Sequence, residues 1–99
     1  MIYKLITRST FEIDLKEIIY YYKCIDISLA RRLLKELKKV KLYLIKNPKG
    51  FELKYKNVRQ IELKKFPYIL HYFINEPDSE VYLIAITHSH KNTSDYTLR

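Results

Sequence analysis

The chain contains a single glycine, Gly50, among 99 residues. One glycine cannot build the G-x-G-x-x-G, P-loop or G-x-S-x-G turns, which removes the usual dinucleotide, nucleoside-triphosphate and serine-hydrolase readings. One cysteine, Cys24, leaves no internal disulfide and points to a reducing, cytoplasmic setting. No apolar run approaches the roughly 20 residues that span a bilayer. The opening "MIYKLITRST" lacks the long apolar stretch of a signal peptide, so no membrane role is expected. Acidic side chains are the minority, 11 against 19 lysines and arginines, and the net charge is +8. Such an excess attracts polyanions, whether nucleic acid, ribonucleoprotein or an acidic protein segment, without choosing among them.

What is present suits one folded domain over residues 1–99, with 47% apolar and 30% charged residues. Ile2 to Ile6 alternates as a short strand. Ser9 with Glu12 reads as a capping box opening a helix, and Phe11, Leu15, Ile18 and Tyr22 form its apolar stripe. This helix should end near Lys23. Asp26 or Ser28 is the next N-cap, and Leu33, Leu37, Val40 and Leu44 stripe a second helix from Leu29 to Lys46. Asn47-Pro48 stops it, because proline disfavours a helical residue before it. Three strand-like runs follow: about Phe51 to Leu63, Pro67 to Asn75 and Glu80 to His88. Val81 to Ile86 is apolar at both parities and reads as a central strand. The fold class is therefore α+β, ordered β-α-α-β-β-β: a twisted, mainly antiparallel sheet with a helical hairpin packed on one face.

His88-Ser89-His90 places two imidazoles on one side of an extended chain, and His71 is the other histidine. If Ile74 pairs with Val81, His71 falls opposite Ile84, and His88 is four residues further, roughly 13 Å away at strand rise. With no cysteine pair and no H-E-x-x-H, no metal site and no cofactor are expected. A strand-end histidine suits proton transfer or phosphate contact better. Arg31, Arg32, Lys35, Lys38, Lys39, Lys41 and Lys46 crowd the second helix, either as a solvated face or as a patch steering an anionic partner. Lys54, Lys56, Arg59, Lys64 and Lys65 lie among Tyr55, Phe66 and Tyr68, a mixture found on RNA-binding surfaces and equally on guarded edge strands. The closing "THSHKNTSDYTLR" gathers His88, His90, Lys91, Asn92, Tyr96 and Arg99.

Taken together, "STFEIDLKEIIYYY", the run from Ala30 to Ile74 with its Asn-Pro, Tyr-Lys-Asn-Val-Arg and Lys-Phe-Pro-Tyr, and the final Ile-x-His resemble the RelE/ParE superfamily of bacterial type II toxins, also described as plasmid-stabilisation proteins. The resemblance covers nearly the whole chain and implies the same β-α-α-β-β-β fold. It implies a cognate antitoxin partner, with an acidic or amphipathic segment that folds on binding, in a heterodimer or heterotetramer. It implies one of two targets. RelE-type members cut mRNA on the ribosome with basic strand residues and a C-terminal arginine and tyrosine or histidine. ParE-type members poison DNA gyrase. Aligned on "IELKKFPYILHY", the RelE-type lysine positions fall on Gln60 and Glu62, and the arginine position on Ile69. A carboxylate there would repel a scissile phosphate, so the ParE-type reading stands first. For a nuclease, the expected catalytic residues are His88, His90, Tyr96 and Arg99, with Arg59, Lys64, Lys65, His71, Lys91 and Asn92 binding. A degenerate member that only binds antitoxin is the third alternative.

Overall fold

The computed structural model describes residues 2–89. Strand β1 (Lys4–Thr7) leads into helices α1 (Ser9–Ile25) and α2 (Ile27–Lys46), then β2 (Leu53–Tyr55), β3 (Val58–Glu62), β4 (Tyr68–Asn75) and β5 (Glu80–His88). The five strands form one sheet ordered β1-β5-β4-β3-β2. Only β1 and β5 pair in parallel, with Leu5 beside Val81, because the helical hairpin carries the chain across before it returns. β2, β3, β4 and β5 pair antiparallel in succession.

Each helix buries the stripe its spacing predicts. Phe11 of α1 meets Leu33, Leu37 and Leu44 of α2, and together they lie on Ile61, Leu70, Tyr72, Val81, Leu83 and Ile86 of the sheet. The two helices are separated by one residue. Asp26 caps α2, its carboxylate accepting from the Ser28 amide and hydroxyl at 2.9 Å each. Those two hydrogen bonds hold the Asp26 carboxyl below its ordinary pKa. The expected capping box at the start of α1 does not form. Arg8 is the N-cap without a side-chain bond, and Glu12 instead accepts from the Thr7 hydroxyl at 3.0 Å.

Two further expectations are corrected. The run from Phe51 to Leu63 is a small hairpin rather than one strand, broken at Lys56-Asn57. Lys56 has a φ of 47°, a left-handed conformation that a lysine adopts only at a cost. Lys56→Asn, a residue that tolerates this region, is expected to raise stability by a few tenths to about 1 kcal/mol in urea unfolding.

The second correction concerns register. Ile74 does pair with Val81, but His71 faces Ala85 rather than Ile84, because a bulge intervenes: Tyr72 pairs with Leu83 and His71 with Ala85. Ile84 is the extra residue. The bulge lies where β5 outruns β1, and α1 satisfies the strand edge that β1 leaves open. The Thr10 hydroxyl donates to the Ile84 carbonyl, and Asp14 accepts from the Ile86 amide at 3.0 Å. A free strand edge is thereby closed by two helical side chains.

Candidate functional site

Alternation along the sheet separates two faces. Ile61, Leu70 and Ile86 are paired neighbours in the core beneath the helices. Their alternates Gln60, Glu62, Ile69, His71, Ala85 and Thr87 therefore project from the opposite face. At its centre His71 is buried, 1% exposed, with both ring nitrogens engaged. Nε2 lies 2.7 Å from the Thr87 hydroxyl and Nδ1 lies 3.3 Å from the Gln60 amide nitrogen. With the Gln60 amide nitrogen donating, Nδ1 is the acceptor and Nε2 faces the Thr87 hydroxyl. Glu62 and Ile69 are a cross-strand pair beside this network. None of the six side chains is a lysine or an arginine.

The Leu63 to Tyr68 corner brings a second group together at one end of the sheet. Phe66 and Tyr68 are buried and flank Tyr22 of α1, with ring centroids 5.5 and 6.2 Å from it. Burial first, then a hydrogen bond with Tyr22, raise the Tyr68 hydroxyl well above the ordinary tyrosine pKa. The His88 ring packs edge-on against Tyr68 at 5.5 Å, and the Ser89 amide donates to the Pro67 carbonyl at 2.9 Å. Lys64 and Lys65 are exposed on the same corner, and the Lys65 amide reaches the Glu36 carboxylate of α2 at 3.3–3.4 Å. His88 shares the helix-facing parity of Ile86, so His71 and His88 lie on opposite faces of the sheet.

Arg59 lies elsewhere. It is half-buried and donates to the Phe51 carbonyl, tying the β2–β3 hairpin to the chain that precedes it. The Tyr72 hydroxyl does the same for the Pro48 carbonyl. His90, Lys91, Asn92, Tyr96 and Arg99 fall outside the described residues. Among the described residues, no group of three histidine, cysteine or carboxylate side chains could hold a metal ion, and no helix is long and apolar enough to cross a membrane.

The helical hairpin presents a third surface. Ile13 and Tyr20 of α1, seven residues apart, are 56% and 60% exposed; Ile27, Leu34 and Leu42 of α2 are about as open. The seven- and eight-residue spacing was the available signal, masked by the stronger core stripe on the same helices. Lys41 fixes which side of α2 turns toward α1, its ammonium 5.8 Å from the Phe11 ring centroid. Ile27 and Leu34 lie seven residues apart on that flank, beside the groove between the helices.

A family model, described as the ParE toxin of the type II toxin–antitoxin system parDE, matches residues 5–93. Among solved structures, the chain is similar to one in the chromosomal ParDE system from P. aeruginosa, with a TM-score of 0.74 and 15% identity over 88% of this chain and 96% of that one. It is also similar to a chain of the RelBE2 toxin–antitoxin complex from Mycobacterium tuberculosis, with a TM-score of 0.65 and 16% identity over 89% and 99%. A chain of the intact E. coli RelBE complex matches with a TM-score of 0.61 and 15% identity over 90% and 99%. No curated protein sequence matches the chain.

Proposed function

The chain belongs to the ParE toxin family of type II toxin–antitoxin systems, and on that premise we propose that it arrests growth by acting on DNA gyrase and is neutralised by a cognate antitoxin. The observation that carries the choice of target is the sheet face around His71. A phosphoryl transition state needs cations aimed at its developing charge. Here the positions that would supply them are Gln60, bonded to His71, the carboxylate Glu62, and the apolar Ile69. An enzyme that cleaves RNA from this face would meet a negative charge where it needs a positive one. Inhibition by binding has no such requirement.

The exposed aliphatic and tyrosine side chains of the helical hairpin, set among lysines, suit an antitoxin segment that is amphipathic and acidic. A toxin–antitoxin heterodimer or its doubled form is the expected resting state, in the cytoplasm where gyrase and ribosomes both work.

Induction of the chain without antitoxin, followed by a gyrase supercoiling assay and mapping of transcript ends, tests this reading. The expected result is loss of supercoiling with translated mRNA left intact. Codon-phased cuts in ribosome-bound transcripts, abolished by His88→Ala, would instead establish a nuclease drawing on His88, Lys64 and Lys65 at the sheet's end. Undisturbed growth would identify a chain that only binds antitoxin.

A further inference from the structure

We propose that the outward face of α2 binds the phosphate backbone of nucleic acid without reading its bases. Arg31, Arg32, Lys35, Lys38 and Lys39 are all exposed. Among the described residues the ion pairs are Lys49–Glu76 and Lys54–Glu52, neither of which involves α2. Lys35 stands three or four residues from each of Arg31, Arg32, Lys38 and Lys39, on adjoining turns, so the five share one side of the helix. The only carboxylate of α2, Glu36, is turned away to the Lys65 amide.

A merely solvated face would not look like this. Arg31 with Lys35, and Lys35 with Lys39, are like-charge pairs at i,i+4, which disfavour the helix, whereas alternating signs would solvate it equally well and support it. The row is dense. Five cations span about 12 Å of helix axis, roughly one per 3 Å. One strand of a duplex carries a phosphate about every 3.4 Å along its axis. No aromatic side chain stands within the row, so nothing there can stack on a base. The apolar Ile27 and Leu34 border it on the side toward α1, which leaves the row open while that flank holds a protein partner. The inference does not depend on gyrase or the ribosome being the target, since it concerns α2, on the other side of the sheet from His71.

Fluorescence anisotropy with the full chain and a labelled mixed-sequence duplex of about 20 base pairs, across about 50 to 200 mM salt, tests it. Two triple variants remove the same charge: Lys35→Gln/Lys38→Gln/Lys39→Gln within the row, and Lys4→Gln/Lys16→Gln/Lys56→Gln outside it. All six lysines are at the surface, and circular dichroism checks that both variants fold. The row variant should lower the slope of log affinity against log salt by about 3, and the outside variant by less than about 1. Equal losses in the two variants would overturn the proposal, because net charge alone would then govern binding. Absence of duplex binding by the unaltered chain, or displacement of the duplex by polyglutamate at lower charge concentration than by unlabelled duplex, would overturn it as well.

Discussion

Phe11→Ala is expected to cost about 3–5 kcal/mol, a loss comparable to the whole stability of many domains this size. Phe11 is 0% exposed and is the one side chain of α1 that is completely buried. It fills the junction where α1, α2 and the sheet meet, so truncation removes a ring from a site whose walls belong to three elements and cannot all close inward. The damage should extend to the edge of β5. Thr10 and Asp14, which satisfy the Ile84 carbonyl and the Ile86 amide, are held at that edge by the seating of α1. Urea unfolding should show the full loss, and thermal unfolding a midpoint lower by roughly 15–30 °C. Ile13→Ala, at a position 56% exposed on the same helix, should change stability by no more than about 0.5 kcal/mol. A loss below about 1 kcal/mol for Phe11→Ala would mean that α1 is not anchored as described.

That helix was legible in the sequence because its information is local. Phe11, Leu15, Ile18 and Tyr22 recur at helical spacing, and burial follows spacing whenever one face meets a core. The same holds for Leu33, Leu37 and Leu44. The β2–β3 hairpin was not legible. Its turn carries lysine, not glycine, at the left-handed position, and the pairing of Leu53 with Arg59 supplies what local preference does not. The bulge at Ile84 was hidden for a different reason: its partners, Thr10 and Asp14, are more than 70 residues away, and a register argument drawn from one turn assumes an unbroken ladder.

The candidate site divides in the same way. The mixture of cations and aromatics at the Lys64–Tyr68 corner left two readings open, and the burial of Phe66 and Tyr68 around Tyr22 gives those two aromatics an anchoring role. The fate of His71 does not follow from any local pattern. Its ring is closed off by Gln60, eleven residues before, and Thr87, sixteen after, so only the paired strands reveal that it is part of a buried polar network. His88 ends on the other face for the same topological reason. Its parity along β5 is fixed after the bulge has shifted the register against β4.

The buried tyrosines should make the fold fail in alkali well before its surface tyrosines matter. Burial pushes the Tyr72 hydroxyl up to about 12, and Tyr68 is raised in the same direction, also chiefly by burial. Both side chains are almost completely enclosed, 0% and 8% exposed. Their folded pKa values lie above the unfolded value, so the neutral hydroxyls contribute fully below about pH 10, and the contribution is lost as pH rises toward 12. Each tyrosine should remove about 1.4 kcal/mol per pH unit across that window, and Tyr72 alone about 3 kcal/mol by its upper end. Lysines lose charge over the same range, and above the isoelectric point near 9.5 this leaves a growing negative excess that also opposes folding, so the comparison between variants isolates the two tyrosines. Denaturant unfolding at intervals from pH 8 to about 12 should therefore show a plateau followed by a steep fall. Tyr68→Phe/Tyr72→Phe should start lower, because the Tyr72 hydroxyl no longer donates to the Pro48 carbonyl, a loss of about 1 kcal/mol, and then decline far less steeply. Tyr20→Phe/Tyr21→Phe, at two exposed positions, should follow the unaltered chain. Stability that stays level to pH 11.5, or a double phenylalanine variant at 68 and 72 that falls as steeply as the parent, would remove these two hydroxyls as the cause.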